Sequence, residues 1–270
     1  METVTIILLT ISVIILLAIL VAYILHFKTR RKFSKQPLPG NYRELMLERV
    51  DFYKNLDSAK RKEFEDRVAL FLNSTHITGV KTTVEDLDRV LIASSAVIPI
   101  FGFPGWEYVN LKEVLLYPDS FGYEFEQTGN ERNILGMVGH GAMNRVMILS
   151  QHELRQAFLN KTGKTNTAIH EFVHLVDKMD GSTDGMPEFI LHRQYLVPWL
   201  QLMQKEIQDI VDDKSDINPY GATNEAEFFA VAAEYFFERP ELMEEKNPEL
   251  YGLLVKVFRQ DPANSRGTKA

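Results

Sequence analysis

At 270 residues and 45% hydrophobic content, the chain is long enough for one large domain or two small ones with an ample core. Its net charge of −7 gives no support to nucleic-acid binding, and the absence of cysteine excludes disulfides, thiolate metal sites and a cysteine nucleophile. Histidine and carboxylate are left as the strong metal ligands.

Residues 4–27, from Val4 to Phe27, run without a charge and are long enough to cross a bilayer as one helix. A cleaved signal peptide would need a basic leader, a shorter apolar run and a small-residue cleavage site. Here Glu2 precedes the run, and Lys28, Arg30, Arg31, Lys32 and Lys35 follow it. That bias predicts a single-pass anchor in the cell membrane with its N-terminus outside and the following domain on the cytoplasmic side. Residues 28–41, basic and carrying Pro37 and Pro39, read as a juxtamembrane linker. The domain is expected over 42–262, with a flexible polar tail at 263–270.

Within the domain, helical periodicity covers Tyr42 to Asn55 and Ser58 to Asn73, the second with Phe64, Val68, Phe71 and Leu72 on one side. Thr83 followed by Asp86 suggests a capped helix from about Val84 towards Ile98, ended by Pro99; its Val90-Leu91-Ile92 run suits a buried strand equally well. Phe101 to Trp106 is a loop by composition, and Lys112 to Tyr117 reads as a strand. Asn133 to Gly139 and Arg145 to Leu149 read as a hairpin around Gly139-His140-Gly141-Ala142. Ser150 and Glu153 form a capping box for a helix to about Leu159.

The stretch Thr167 to Asp177 carries the chemistry. On a helix His170 and His174 lie one turn apart and face the same way, so two neutral imidazoles can grip one zinc ion while Glu171 stands beside its water. Thr165 and Thr167 offer N-caps, Ile169, Phe172, Val173, Val176 and Met179 form an apolar stripe, and Asp180-Gly181 is the stop. A loop with Gly185 and Pro187 leads to a helix from about Arg193 to Val211. Ile217 to Gly221 is a turn, and Thr223 can cap a helix over Asn224 to Phe237, closed by Arg239-Pro240.

A catalytic zinc needs a third protein ligand. Asp180 lies six residues after His174, but a ligand there needs a helix-breaking glycine where this chain has Asp177. The following helix supplies Glu225, Glu227, Glu234 and Glu238; Glu227 stands where that helix turns apolar and is preferred. Asp177 and Glu234 can serve as carboxylates that accept the other N–H of a ligand histidine, or stand in solvent. His140 and His152 fall outside any ligand spacing. The segment Gly139 to Ala142 with its flanking strands is a possible edge for an extended peptide.

The combination of His-Glu-Phe-Val-His-Leu-Val-Asp (170–177), Tyr220-Gly-Ala-Thr223, Glu227-Phe-Phe-Ala-Val-Ala-Ala-Glu-Tyr-Phe-Phe237 and Pro240-Glu-Leu resembles the Mlc titration factor A family of zinc-dependent peptidases. Glu113-Val-Leu-Leu-Tyr-Pro118 and Val146-Met-Ile-Leu-Ser150 extend the resemblance to roughly residues 55–262. It implies an α+β, zincin-like metallopeptidase domain, mostly helical with a small mixed sheet, here preceded by one transmembrane helix. It also implies His170, His174 and Glu227 as ligands of one zinc ion, Glu171 as general base, and aminopeptidase-type activity on a peptide or protein substrate. Around the metal the family is similar to the catalytic domain of anthrax lethal factor, where a tyrosine seven residues before the glutamate ligand assists catalysis; Tyr220 holds that position and can donate to a developing oxyanion, or merely pack. The family's founding member binds a transcriptional repressor, so the alternative is a membrane-tethered binding protein that sequesters a cytoplasmic regulator, its zinc site structural or vestigial. The membrane anchor departs from the family's soluble pattern and bears on that regulatory role more than on the chemistry.

Overall fold

The computed structural model describes residues 9–23, 38–119, 136–138 (as backbone) and 145–264. Residues 9–23 form a helix, α1, exposed along its whole length. The expected span at 4–27 continues outside the described residues at both ends, and among the described residues no helix is long and apolar enough to cross a membrane. Most of the expected linker and most of the tail also lie outside them.

The domain is mostly helical with a small mixed sheet. Helices α2 (Gly40–Arg49), α3 (Asp51–Asn55) and α4 (Ser58–Ser74) lead into strand β1 (His76–Gly79). The helix expected over 42–55 is broken at Val50, which is extended (φ −102°, ψ 96°) and fully buried; core packing overrides local periodicity there. Strand β1 escapes notice in the sequence because it is four residues long.

Helix α5 (Asp86–Ile100) is nearly all buried. Its cap is Glu85, in a reciprocal box with Asp88, rather than Thr83, and the strand alternative at Val90 to Ile92 is excluded. Pro99 lies inside the last turn instead of ending the helix. The end carbonyls are taken by tertiary partners: Arg67 donates to Ile100 and Phe101, and Gln260 donates to Ile98.

Strands β2 (Glu113–Tyr117), β3 (Gly136–Val138) and β4 (Val146–Ser150) complete a four-stranded sheet in the order β1-β2-β4-β3. The first two pairings are parallel, while β3 pairs antiparallel with β4, Gly136 opposite Leu149. The antiparallel pair matches the expected hairpin; its turn, with His140, lies outside the described residues. Val114, Leu116, Met147 and Leu149 face the main core, and Tyr117 and Ile148 build a small cluster on the other face.

Helix α6 (Gln151–Leu159) precedes α7 (Thr167–Asp177), which packs between α5 and α9 (Glu225–Glu238) and touches β3. A 3-10 turn over Arg193–Tyr195 opens α8 (Leu196–Val211), and another over Pro219–Ala222 precedes α9. Helices α10 (Pro240–Lys246) and α11 (Pro248–Phe258), each opened by a proline, close the fold. Phe229, Phe236 and Phe237 on α9 pack around Phe258 on α11 with ring centroids 4.9–5.7 Å away, which anchors α9.

Asp216 ties the lead-in to α7 to the end of the molecule. It accepts from Lys164 at 2.6 Å, Tyr235 at 2.8 Å and Asn247 at 3.0 Å. Burial alone would raise its pKa, but these donors outweigh it and hold the carboxyl down at about 2. A depressed carboxyl stabilises the fold above its unfolded pKa of about 4 and loses that contribution as pH falls through the folded value. Asp216→Asn is therefore expected to lower stability by about 1–2 kcal/mol at pH 7, after allowance for screening. Urea titrations should find the gap to wild type narrowing between pH 4 and 3; a gap independent of pH contradicts the assignment.

Candidate metal centre

The site is built on two helices whose capping fixes their phase. Helix α7 is capped by Asn166, whose Oδ1 accepts from the Ile169 N–H at 3.2 Å, rather than by Thr165 or Thr167. Ala168, Ile169, Phe172, Val173 and Val176 are buried, and the Phe172 ring sits 5.6 Å from Phe71 and 5.1 Å from Tyr108. That packing turns His170, Glu171 and His174 towards α9. Helix α9 is capped by Asn224, not Thr223: its Oδ1 accepts from the Glu227 N–H at 3.0 Å, which fixes Glu227 in the first turn.

The loop after α7 presses on the same turn. Gly185 has φ +75°, and a Cβ there would meet the Glu225 carbonyl oxygen at 2.2 Å, so only glycine lets the chain pass. Its N–H donates to Asp177 Oδ2 at 2.8 Å and its carbonyl accepts from the Trp199 indole at 2.7 Å. The end of α7, the start of α9 and α8 are thereby held to one another.

Three candidate ligand atoms converge. His170 Nε2 is 2.9 Å from Glu227 Oε2 and 3.1 Å from His174 Nε2, and His174 Nε2 is 3.4 Å from Glu227 Oε2. Among the described residues this is the one group of histidine and acidic side chains close enough to share an ion. Asp180 stands apart, its carboxylate accepting from Ser182 and from the Glu188 N–H.

The donor set fits a divalent cation. Ligands about 2.0–2.1 Å from a tetrahedral ion lie roughly 3.3 Å from one another, close to the edges of this triangle. Two imidazole lone pairs and a carboxylate oxygen facing each other repel unless positive charge lies between them. The electrostatics express that need through protons. Burial would lower the His170 pKa, but its hydrogen bonds to Glu227 and Glu234 outweigh burial and push it up to about 10. Burial would likewise raise Glu227, and the two histidines instead draw it down to about 2.

Glu234 accepts from His170 Nδ1 at 2.7 Å, which leaves the Nε2 lone pair aimed at the triangle. Its other oxygen accepts from the Asn166 N–H. Asp177 plays no such part towards His174: its Oδ2 holds Gly185, while among the described residues the buried Asp177 Oδ1 and His174 Nδ1 have no hydrogen-bond partner.

Glu171 is 6% exposed, and among the described residues its carboxylate has no hydrogen-bond partner. Burial pushes its pKa up to about 6, the nearby histidines offsetting part of the rise. A carboxyl poised there exchanges protons readily near neutrality. Tyr220 lies in the 3-10 turn before α9, half-exposed, with its ring centroid 6.0 Å from that of His170. Asn166, at the base of the site, went unmarked in the sequence; the signal for its neighbours was the recurrence of Glu227, Glu234 and Glu238 at i, i+7 and i+11, one face of a helix.

Comparison with known proteins gives a consistent set of likenesses. A family model described as glucose-regulated metallo-peptidase M90 matches residues 24–259. An uncharacterized protein of Synechocystis sp. is 28% identical over 247 residues, which covers 86% of this chain and 88% of that protein. Mlc titration factor A of Pectobacterium atrosepticum is 33% identical over 164 residues, 56% of this chain and 60% of that relative's length. Mlc titration factor A of Salmonella arizonae is 30% identical over 211 residues, 72% of this chain and 80% of its own.

Proposed function

The chain belongs to the glucose-regulated metallo-peptidase M90 family, and from that premise we propose that it is a zinc-dependent peptidase tethered to the membrane by its N-terminal segment. The observation that carries the reading is the convergence of His170, His174 and Glu227 beside the buried carboxyl of Glu171. We read the domain as zincin-like, with those three residues as ligands of one zinc ion. Zinc held there would supply a Lewis acid and a water acidified to a pKa of about 7.

The chain's own residues do the rest. Glu171 accepts a proton from the attacking water and returns it to the leaving amine. Glu234 holds the His170 tautomer, and Asn166 holds Glu234. Tyr220, beside His170 at the open side of the site, donates its hydroxyl to the oxyanion that develops on the scissile carbonyl. Among the described strands β3 is an edge of the sheet and lies against α7, so an extended peptide can pair with it and lay a bond across the centre. The test is zinc content together with hydrolysis of amino-acid anilides and a peptide panel. Stoichiometric zinc with turnover supports the reading; zinc without turnover on any substrate favours a second reading, in which the chain binds a regulator, the kind of role at which the name Mlc titration factor A hints for those relatives.

The uncharged run at 4–27, of which 9–23 is helical and exposed, supports the tether. The full chain is expected to pellet with membranes, and residues 36–270 to remain in the soluble fraction. Protease added to intact cells is expected to spare the domain, because the basic residues that follow the run keep it on the cytoplasmic side. Digestion from outside would reverse the orientation.

A further inference from the structure

A cavity of about 650 Å³ opens at the end of α9 away from Glu227. Its size is that of a small-molecule site. The rings of Phe52, Phe101 and Phe237 line it, Phe52 lying 5.7 Å from Phe101 and 6.3 Å from Phe237 between centroids. Five carboxylates, Glu238 among them, and four cations, Arg239 and Arg259 among them, also line it, so both signs of charge share one pocket with an aromatic wall. Arg239 spends Nη1 on the Thr162 carbonyl and Arg259 lies over the Phe103 ring, which leaves further N–H donors on both. Glu238 Oε1 accepts from Asn166 Nδ2 at 2.7 Å; among the described residues Oε2 has no hydrogen-bond partner. Part of this charge is met within the wall, Lys161 pairing with Asp51 at 3.0 Å, and a guest that carries both signs suits the mixed remainder better than an apolar guest or one of a single sign.

The cavity is wired to the metal centre. Asn166, held by Glu238, caps α7 through its Oδ1 and donates its backbone N–H to Glu234, which in turn holds His170 Nδ1. A ligand that draws on Glu238 therefore pulls on the residue that sets both the start of α7 and the orientation of His170.

We propose that this cavity is a second ligand site that takes a free α-amino acid with a bulky apolar side chain, its amine on Glu238 and its carboxylate on the guanidinium side, and that occupancy is coupled to the metal centre through Asn166. The coupling rests on the reading of His170 as a metal ligand; the binding does not. Reciprocity requires that the amino acid change zinc affinity by the same factor by which zinc changes amino-acid affinity.

The experiment is calorimetric titration of the full chain, metal-free and then zinc-loaded, with L-phenylalanine, with L-phenylalaninamide, which lacks the carboxylate, and with 3-phenylpropionate, which lacks the amine. L-phenylalanine should bind saturably at one site in metal-free protein, about tenfold or more tighter than either truncated probe, with an affinity that shifts several-fold when zinc is loaded. Glu238→Gln should weaken it by about tenfold or more and reduce the coupling. Asn55→Trp, which fills the cavity from an exposed position at the end of α3, should abolish binding without touching Asn166, and decides the matter if Glu238→Gln does not fold. Absence of saturable binding, or binding unchanged by Asn55→Trp, overturns the site. Binding seen in zinc-loaded protein alone and unaffected by Asn55→Trp would place the amino acid on the ion. Equal affinity with and without zinc overturns the coupling and leaves the site.

Discussion

Replacement of Glu171 by glutamine is expected to reduce peptide hydrolysis by about a hundredfold or more while zinc stays bound. Glutamine keeps the shape of the side chain in a buried position and removes the carboxylate proposed to take a proton from water there. It removes no candidate ligand, since the converging atoms belong to His170, His174 and Glu227. Metal analysis and turnover on the same preparation check both halves. Retention of more than about a tenth of activity would sink the assignment of Glu171 as general base.

The second large effect concerns Glu227. Glu227→Ala should lower zinc affinity sharply and remove activity, because it leaves two protein ligands where a stable catalytic site uses three. Asp180→Ala should do neither, since its carboxylate is engaged with Ser182 and the Glu188 N–H in a turn away from the triangle. Tyr220→Phe is the internal control: it deletes a hydroxyl and no ligand, so turnover should fall with zinc retained. Loss of zinc in Asp180→Ala with retention in Glu227→Ala would mean that the structure's triangle is not the metal site.

Local pattern reached far in this chain. The helical stripe of Ile169, Phe172, Val173 and Val176, with His170 and His174 one turn apart, is written into consecutive residues, as is the apolar run of α9 behind Glu227. The uncharged run near the N-terminus is equally a property of the sequence. So is the choice of carboxylate over thiolate chemistry, because there is no cysteine.

Other features depend on partners distant in the chain. Asn166, rather than either flanking threonine, caps α7, because its backbone and side chain also meet Glu234 and Glu238 on α9. Val50 interrupts an otherwise periodic segment because burial of that side chain outweighs the propensity of its neighbours. The end of α5 is set past Pro99, where Arg67 and Gln260 reach its last carbonyls from distant segments.

The distinction follows from range. Periodicity, capping chemistry and charge runs act within a few residues and can be read directly. Whether four glutamates of α9 face a metal, a cavity or water depends on which turn of α7 they meet, and that was decided by the packing of α7 between α5 and α9. That contact places Glu227 against His170 and His174, gives Glu234 the far side of the His170 ring, and leaves Glu238 at the cavity.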